Sequence, residues 1–287
     1  MKGGRFRHIS RILFVGACLL VAGAYSASAV SASRNAYKTF QNCPVDERAV
    51  TNCIHALSSG GSVTIGTRSL ELTSPIVLQG GFAGSGQQVE FFGASDGNTL
   101  SKSRQPISGG LTDVRPPSWW PEWLRKWFTE EVHQGAGDVT ATLELAGPAS
   151  SVALSTENLI SHQGTALGLP AKIHLENPLL GPNCHLGSDE QPIPIDFTTG
   201  KSGDFTGASN KIQFSSSSQI FTISDARLVN GSFPVPGAEG CGGVLSFFLN
   251  PLVNELLGAP SDAGRNSAVL EGTLHGIAAQ VVRGGQE

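Results

Sequence analysis

Val139-Thr140-Ala141-Thr142-Leu143-Glu144-Leu145 decides what kind of fold this chain adopts. Thr140, Thr142 and Glu144 alternate with Val139, Ala141, Leu143 and Leu145. A period of two puts the polar groups on one side of an extended chain and the apolar groups on the other. Such a segment is a half-buried strand, and its apolar side needs a second layer to cover it.

Working outward, comparable short runs rich in β-branched and aliphatic residues recur on both sides. Strands are predicted at 62–65, 68–72, 76–78, 88–92, 152–154, 172–176, 193–197, 211–214 and 219–223. The run 268–282 has room for two strands bent at Gly272 or Gly276. Ser74-Pro75, the Gly/Ser stretch 200–209 and the serines of 215–218 read as loops between them. The pattern predicts a mainly β, β-sandwich-like domain of many short antiparallel strands. No period of 20–50 residues emerges, which argues against a repeat architecture.

Helix signals are fewer. One short helix is predicted over 46–57, entered through Pro44, and another over 247–257, stopped by Gly258 with Pro260 beyond. Between the early and late strands lies an inserted Pro/Trp-rich segment, about 114–134, that contains all four tryptophans. Pro121 suits the first turn of a helix running to about His133. Helical spacing puts Trp120, Trp123, Leu124, Trp127 and Phe128 on one face, with Glu122, Arg125, Lys126, Thr129 and Glu130 on the other. Three roles compete for Trp119, Trp120, Trp123 and Trp127: a cap on the β core, an interfacial helix entering lipid headgroups, or an aromatic platform for a sugar or polymer. The acidic residues Glu122, Glu130 and Glu131 make the polar face nearly neutral, which weakens the lipid reading.

The amino terminus predicts export. Lys2, Arg5, Arg7 and Arg11 precede the apolar run 12–22, and Ala27-Ser28-Ala29 forms an A-x-A cleavage site. Residues 1–29 therefore read as a signal peptide and 30–287 as a single β-rich domain, since the apolar stretch is shorter than the roughly 20 residues a membrane span needs. Val15-Gly16-Ala17-Cys18 loosely resembles a lipobox, so lipid anchoring at Cys18 is the rival outcome, although too few apolar residues precede it. The leader's four basic residues, taken from 19, leave 15 against 23 acidic ones, a formal balance of −8. That balance, with no basic run after the leader, excludes nucleic acid as the expected partner. An envelope polymer or a membrane surface remains.

Cys43, Cys53, Cys184 and Cys241 survive cleavage, and an even number in an exported chain argues for two disulfides among three possible connectivities. Cys184–Cys241 is favoured because both lie in Gly-, Asn- and Pro-rich loops, which leaves Cys43–Cys53 by elimination. A helix across all of 44–53 would hold that second pair about 15 Å apart, beyond disulfide reach. Either the helix there is short or the pairing crosses over.

Other chemistry-bearing groups are sparse. Gly93-Ala94-Ser95-Asp96-Gly97 matches the G-x-S-x-G pattern of a nucleophile elbow, which makes Ser95 the candidate for a secreted serine hydrolase. The elbow needs a helix after it, and 98–106 lacks helical spacing, so a turn is the plainer reading. The six histidines after the leader have no metal-ligand spacing, and His174 and His275 read as exposed strand residues. His185 with Ser188, Asp189 and Glu190 is the one local cluster of polar and titratable groups, and a solvated loop explains it better than a metal site. No cofactor motif occurs, and no metal is expected.

The strings PIVLQGGF (75–82), DGNTL (96–100), LPAKIHLENPLLGPNCHLGSDEQPIPIDFTTG (169–200), VPGAEGCGG (235–243) and SDAGRNSAVLEGTLHG (261–276) resemble a family of exported actinobacterial proteins of unknown function. The resemblance spans most of 40–275 and implies a β-rich architecture and an envelope or extracellular location. It carries over no catalytic or binding residue. The expected function is non-catalytic extracellular binding or envelope-associated structural work, with a Ser95 hydrolase and a lipid-surface protein using the Trp119–Phe128 segment as alternatives.

Overall fold

A computed structural model describes residues 37–286 apart from 88, 209 and 210. The leader, its cleavage site and Cys18 lie outside the described residues.

Two seven-stranded antiparallel sheets face each other. The first begins with β1 (Asn52–Ile65), β2 (Arg68–Glu71), β3 (Ile76–Ala83) and β4 (Glu90–Gly93). The second holds β5 (Arg104–Ile107), β6 (Val139–Leu145), β7 (Ala153–Leu154), β8 (Leu167–Glu176), β9 (His185–Leu186) and β10 (Ile193–Phe197). A two-stranded hairpin of β11 (Lys201–Ser202) and β12 (Phe205–Thr206) follows. The chain then returns to the first sheet with β13 (Lys211–Ser215) and β14 (Ile220–Asn230), visits the second with β15 (Ala238–Glu239), and closes the first with β16 (Ser267–Ala278). The first sheet is ordered β13-β14-β16-β1-β3-β4 with β2 on β1, and the second β15-β9-β8-β6-β5 with β7 and β10 on β8. The inner faces share one core, to which Leu78, Phe91 and Ala268 of the first sheet and Leu169, Leu175 and Phe197 of the second belong. This is the mainly β, sandwich-like architecture that the alternation at 139–145 requires, and β6 has those bounds.

The helices are α1 (Glu122–Glu131), α2 (Thr156–Ser161), α3 (Ser246–Leu257) and α4 (Ala279–Gln286). None of the described helices is long and apolar enough to cross a membrane. α3 ends where expected, with Gly258 in the left-handed conformation at φ 70°. In α1, Pro121 stands just ahead of the first helical residue, and the helix stops at Glu131. A wider turn, Val132–Ala136, follows and breaks at Gly135.

The helix expected over 46–57 does not form. Residues 44–49 make turns and 52–65 is β1, paired along one edge with β16 and along the other with β3. Cross-strand pairing on both sides outweighs a short helical spacing. The same correction removes the obstacle to Cys43–Cys53, whose Cα atoms lie 5.6 Å apart. The second disulfide joins Cys184 to Cys241, as favoured from the loops around them. Two disulfides are typical of extracellular proteins.

The run 268–282 is one strand followed by a helix rather than two strands. Opposite Gly272 both neighbouring strands slip register, between Ser58 and Gly60 on β1 and between Ile223 and Ala226 on β14. A Cβ at Gly272 would lie 1.9 Å from the Leu57 carbonyl oxygen, so only glycine permits that approach. Strand β5 is not among the predicted strands, and it carries Pro106, which cannot donate to a ladder. Its place at the end of the second sheet is where proline is tolerated.

Candidate functional site

The inward row of β6 ends in a chamber instead of close packing. Ala141 and Leu143 of β6 face Leu70 of β2 and Ala268 and Leu270 of β16 across a cavity of about 130 Å³. Val63, Ile107, Ile173, Leu186 and Ile195 complete much of its wall. Alanines at 141 and 268 stop short of the midline, which leaves room that larger side chains would take. Val63, Leu70, Ile107, Ala141 and Leu143 consequently stay partly accessible although they point inward.

The chamber sits behind a seam between the sheets. β2 is bonded in the ladder only to β1, and β5 forms the end of the second sheet. Among the lining residues Ser69 and Ser108 are exposed, so the mouth lies between these two strands. Gln105, 4% exposed, fastens the seam on one side: its Oε1 accepts from the Thr73 and Ser74 N–H groups and its Nε2 donates to the Ser74 carbonyl. Arg68 fastens the other, donating from Nε to the Leu256 carbonyl and from Nη1 to Asp113 Oδ2 at 2.9 Å. Gln105 thus spends its polar atoms on backbone, and the interior is left hydrocarbon. A chamber of this size and lining accepts a single-ring or short aliphatic group, as an apolar cavity of about 150 Å³ accepts benzene.

The tryptophans divide between core and surface. Trp120 is 2% exposed and packs edge-on to Phe128 of α1 and Phe248 of α3. Trp119 lies flat on Phe248 at 5.7 Å and edge-on to Phe247, yet remains 52% exposed. Trp123 is 65% exposed, and Trp127 is half-buried against the core. The single aromatic face expected of the helix is therefore split. Trp120, Leu124 and Phe128 go inward, while Trp123, one residue and so about 100° round the helix from Leu124, faces solvent. Sequence reading missed α3 as the partner because Phe247 and Phe248 lie more than a hundred residues away. Trp119 and Phe247, which is 72% exposed, form an apolar surface, and Val244, three residues earlier in the chain than Phe247, is fully exposed.

Ser95 lies in an exposed turn after β4, with Gly97 at φ 76°. Its N–H donates to the Asn42 carbonyl, and among the described residues no histidine hydrogen-bonds its Oγ. No helix follows; the chain runs by a bridge at Leu100 into β5.

The histidines form two cross-strand pairs that the sequence does not announce. His174 and His185 face each other across β8 and β9 with rings stacked at 4.6 Å, and His174 Nδ1 is 3.9 Å from Glu144 Oε1. His55 and His275 are opposite each other on β1 and β16, on the outer face of the first sheet. Burial lowers the pKa of both, and for His55 the neighbouring His275 lowers it further. Thr222 Oγ1 lies 3.0 Å from His275 Nδ1. Neither His174 nor His275 is the freely exposed strand residue expected. Asp189 is held below the usual carboxylate range by the Lys172 ammonium that donates to it at 2.8 Å. Among the described residues no group of three or more His, Cys, Asp and Glu side chains is placed to hold a metal ion.

Comparison of the chain with protein-family models, with curated proteins and with solved structures finds no match.

Proposed function

We propose that this is an exported, non-catalytic binding protein that holds an apolar ligand between its two sheets. The observation that carries the reading is the inter-sheet chamber, an apolar cavity with its few polar groups gathered at the mouth. Binding sites of small apolar molecules have this composition. Export rests on the predicted leader, on the disulfides and on the resemblance to exported actinobacterial proteins. Thermal unfolding with and without benzene tests the binding. A ligand that binds only the folded state raises the midpoint in proportion to its saturation. The midpoint is expected to rise with benzene and to stay put in Ala141→Leu, whose larger side chain fills the chamber. An unshifted midpoint in the natural sequence would count against the reading.

A second reading, attachment to a lipid surface, is favoured by the exposed Trp119, Trp123, Val244 and Phe247. Tryptophan and phenylalanine are the side chains that settle at headgroup level. Co-sedimentation with neutral and anionic vesicles is the check. Binding lost in a Trp119→Ser, Phe247→Ser double variant supports attachment, and no binding of the unaltered protein ends it.

A further inference from the structure

The mouth of the chamber is polar but electrically balanced. Arg68 lines the chamber, and Asp113, not itself a lining residue, pairs with its guanidinium at 2.9 Å, the side chains being 32% and 47% exposed. Arg68 commits Nε to Leu256 and Nη1 to Asp113, and among the described residues its Nη2 has no hydrogen-bond partner. An anionic headgroup placed there meets Asp113 as well as Arg68, and a cationic one meets Arg68. An uncharged acceptor such as a hydroxyl, ketone or ester oxygen takes a guanidinium hydrogen bond without meeting a like charge. Behind the mouth, about 130 Å³ admits one ring or a short chain and not a full-length acyl chain.

Resting on the binding reading above, we infer that the ligand class is the uncharged short amphiphile. Its single ring or short aliphatic group fills the chamber, and one hydrogen-bond acceptor stops at Arg68. Asp113 acts as the selectivity residue by making the mouth unattractive to carboxylates.

Calorimetric titration of the full folded protein with benzene, cyclohexanol, hexanoate and hexylamine tests this. Cyclohexanol is expected to bind at least about tenfold more tightly than hexanoate or hexylamine, the order of effect a like charge at a partly exposed site produces. In Asp113→Asn, hexanoate should gain about tenfold while benzene binding stays within about twofold. Benzene binding in that variant shows that the chamber is intact. Hexanoate binding the unaltered protein as tightly as cyclohexanol, with benzene also bound, overturns the inference and leaves the binding reading standing. Failure of benzene and of all three amphiphiles to bind overturns both.

Discussion

His55 and His275 carry the clearest pH signature at the scale of single residues. Burial lowers both below the ordinary 6.5, so the folded state favours their neutral forms. An unfolded chain then binds more protons in the window below 6.5, and stability rises with pH across it. The contribution is complete above pH 6.5 and is lost as the pH falls through the folded values. Denaturant titrations between pH 7 and 5 should show falling stability that is flattened in a His55→Gln, His275→Gln variant, before the carboxylates begin to titrate. A pH-independent midpoint in the unaltered protein would contradict this. The tryptophans offer a second residue-scale test. Trp120→Ala should cost about 3–5 kcal/mol, as deletion of a buried aromatic does, and Trp123→Ala less than about 0.5 kcal/mol. Trp120 Nε1 has no hydrogen-bond partner among the described residues, so Trp120→Phe removes no satisfied bond and should cost much less than Trp120→Ala. From the sequence these indoles are equivalent; their difference is set by where α3 lies against α1.

At the scale of elements, legibility follows how local each signal is. β6 and β10 have the bounds expected, because an alternating run reports its own environment. The stop of α3 is likewise local, a glycine free to turn left-handed. The first half of β1 carries a short helical spacing but takes its structure from β3 and β16, both distant in sequence. Cys43–Cys53 follows from the same change, since turns bring together what a helix would hold apart. The disulfides themselves are separable by loop length. Cys184–Cys241 closes 57 residues and Cys43–Cys53 closes 10. Chain-entropy reasoning gives about 4 kcal/mol for the first and about 3 kcal/mol for the second. Paired Cys→Ser variants, unfolded in urea, should rank in that order. Loss of most stability on removing the shorter loop alone would point to a folding role for the segment it ties down.

On the scale of the whole molecule, what the sequence could not show is the space between the sheets. Its wall is drawn from β1, β2, β3, β5, β6, β8, β9, β10, β16 and the end of α3 together, and no local pattern marks a set so dispersed. The one sequence trace is Ala141, the smallest inward residue in the run Val139–Leu145. Faced by Ala268 from the opposite sheet, it turns a strand that seems built only to pack into one side of a chamber. The balanced Arg68–Asp113 pair and the Gln105 fastening lie at the seam, where the two sheets are held by side chains and not by a ladder. Crystals equilibrated with xenon test for the chamber itself, because xenon settles in dry apolar cavities. A xenon atom is expected between the sheets, in contact with Leu143 and Leu270 and absent in Ala141→Leu. A chamber that takes up no xenon, collapsed or filled with ordered water, would contradict it.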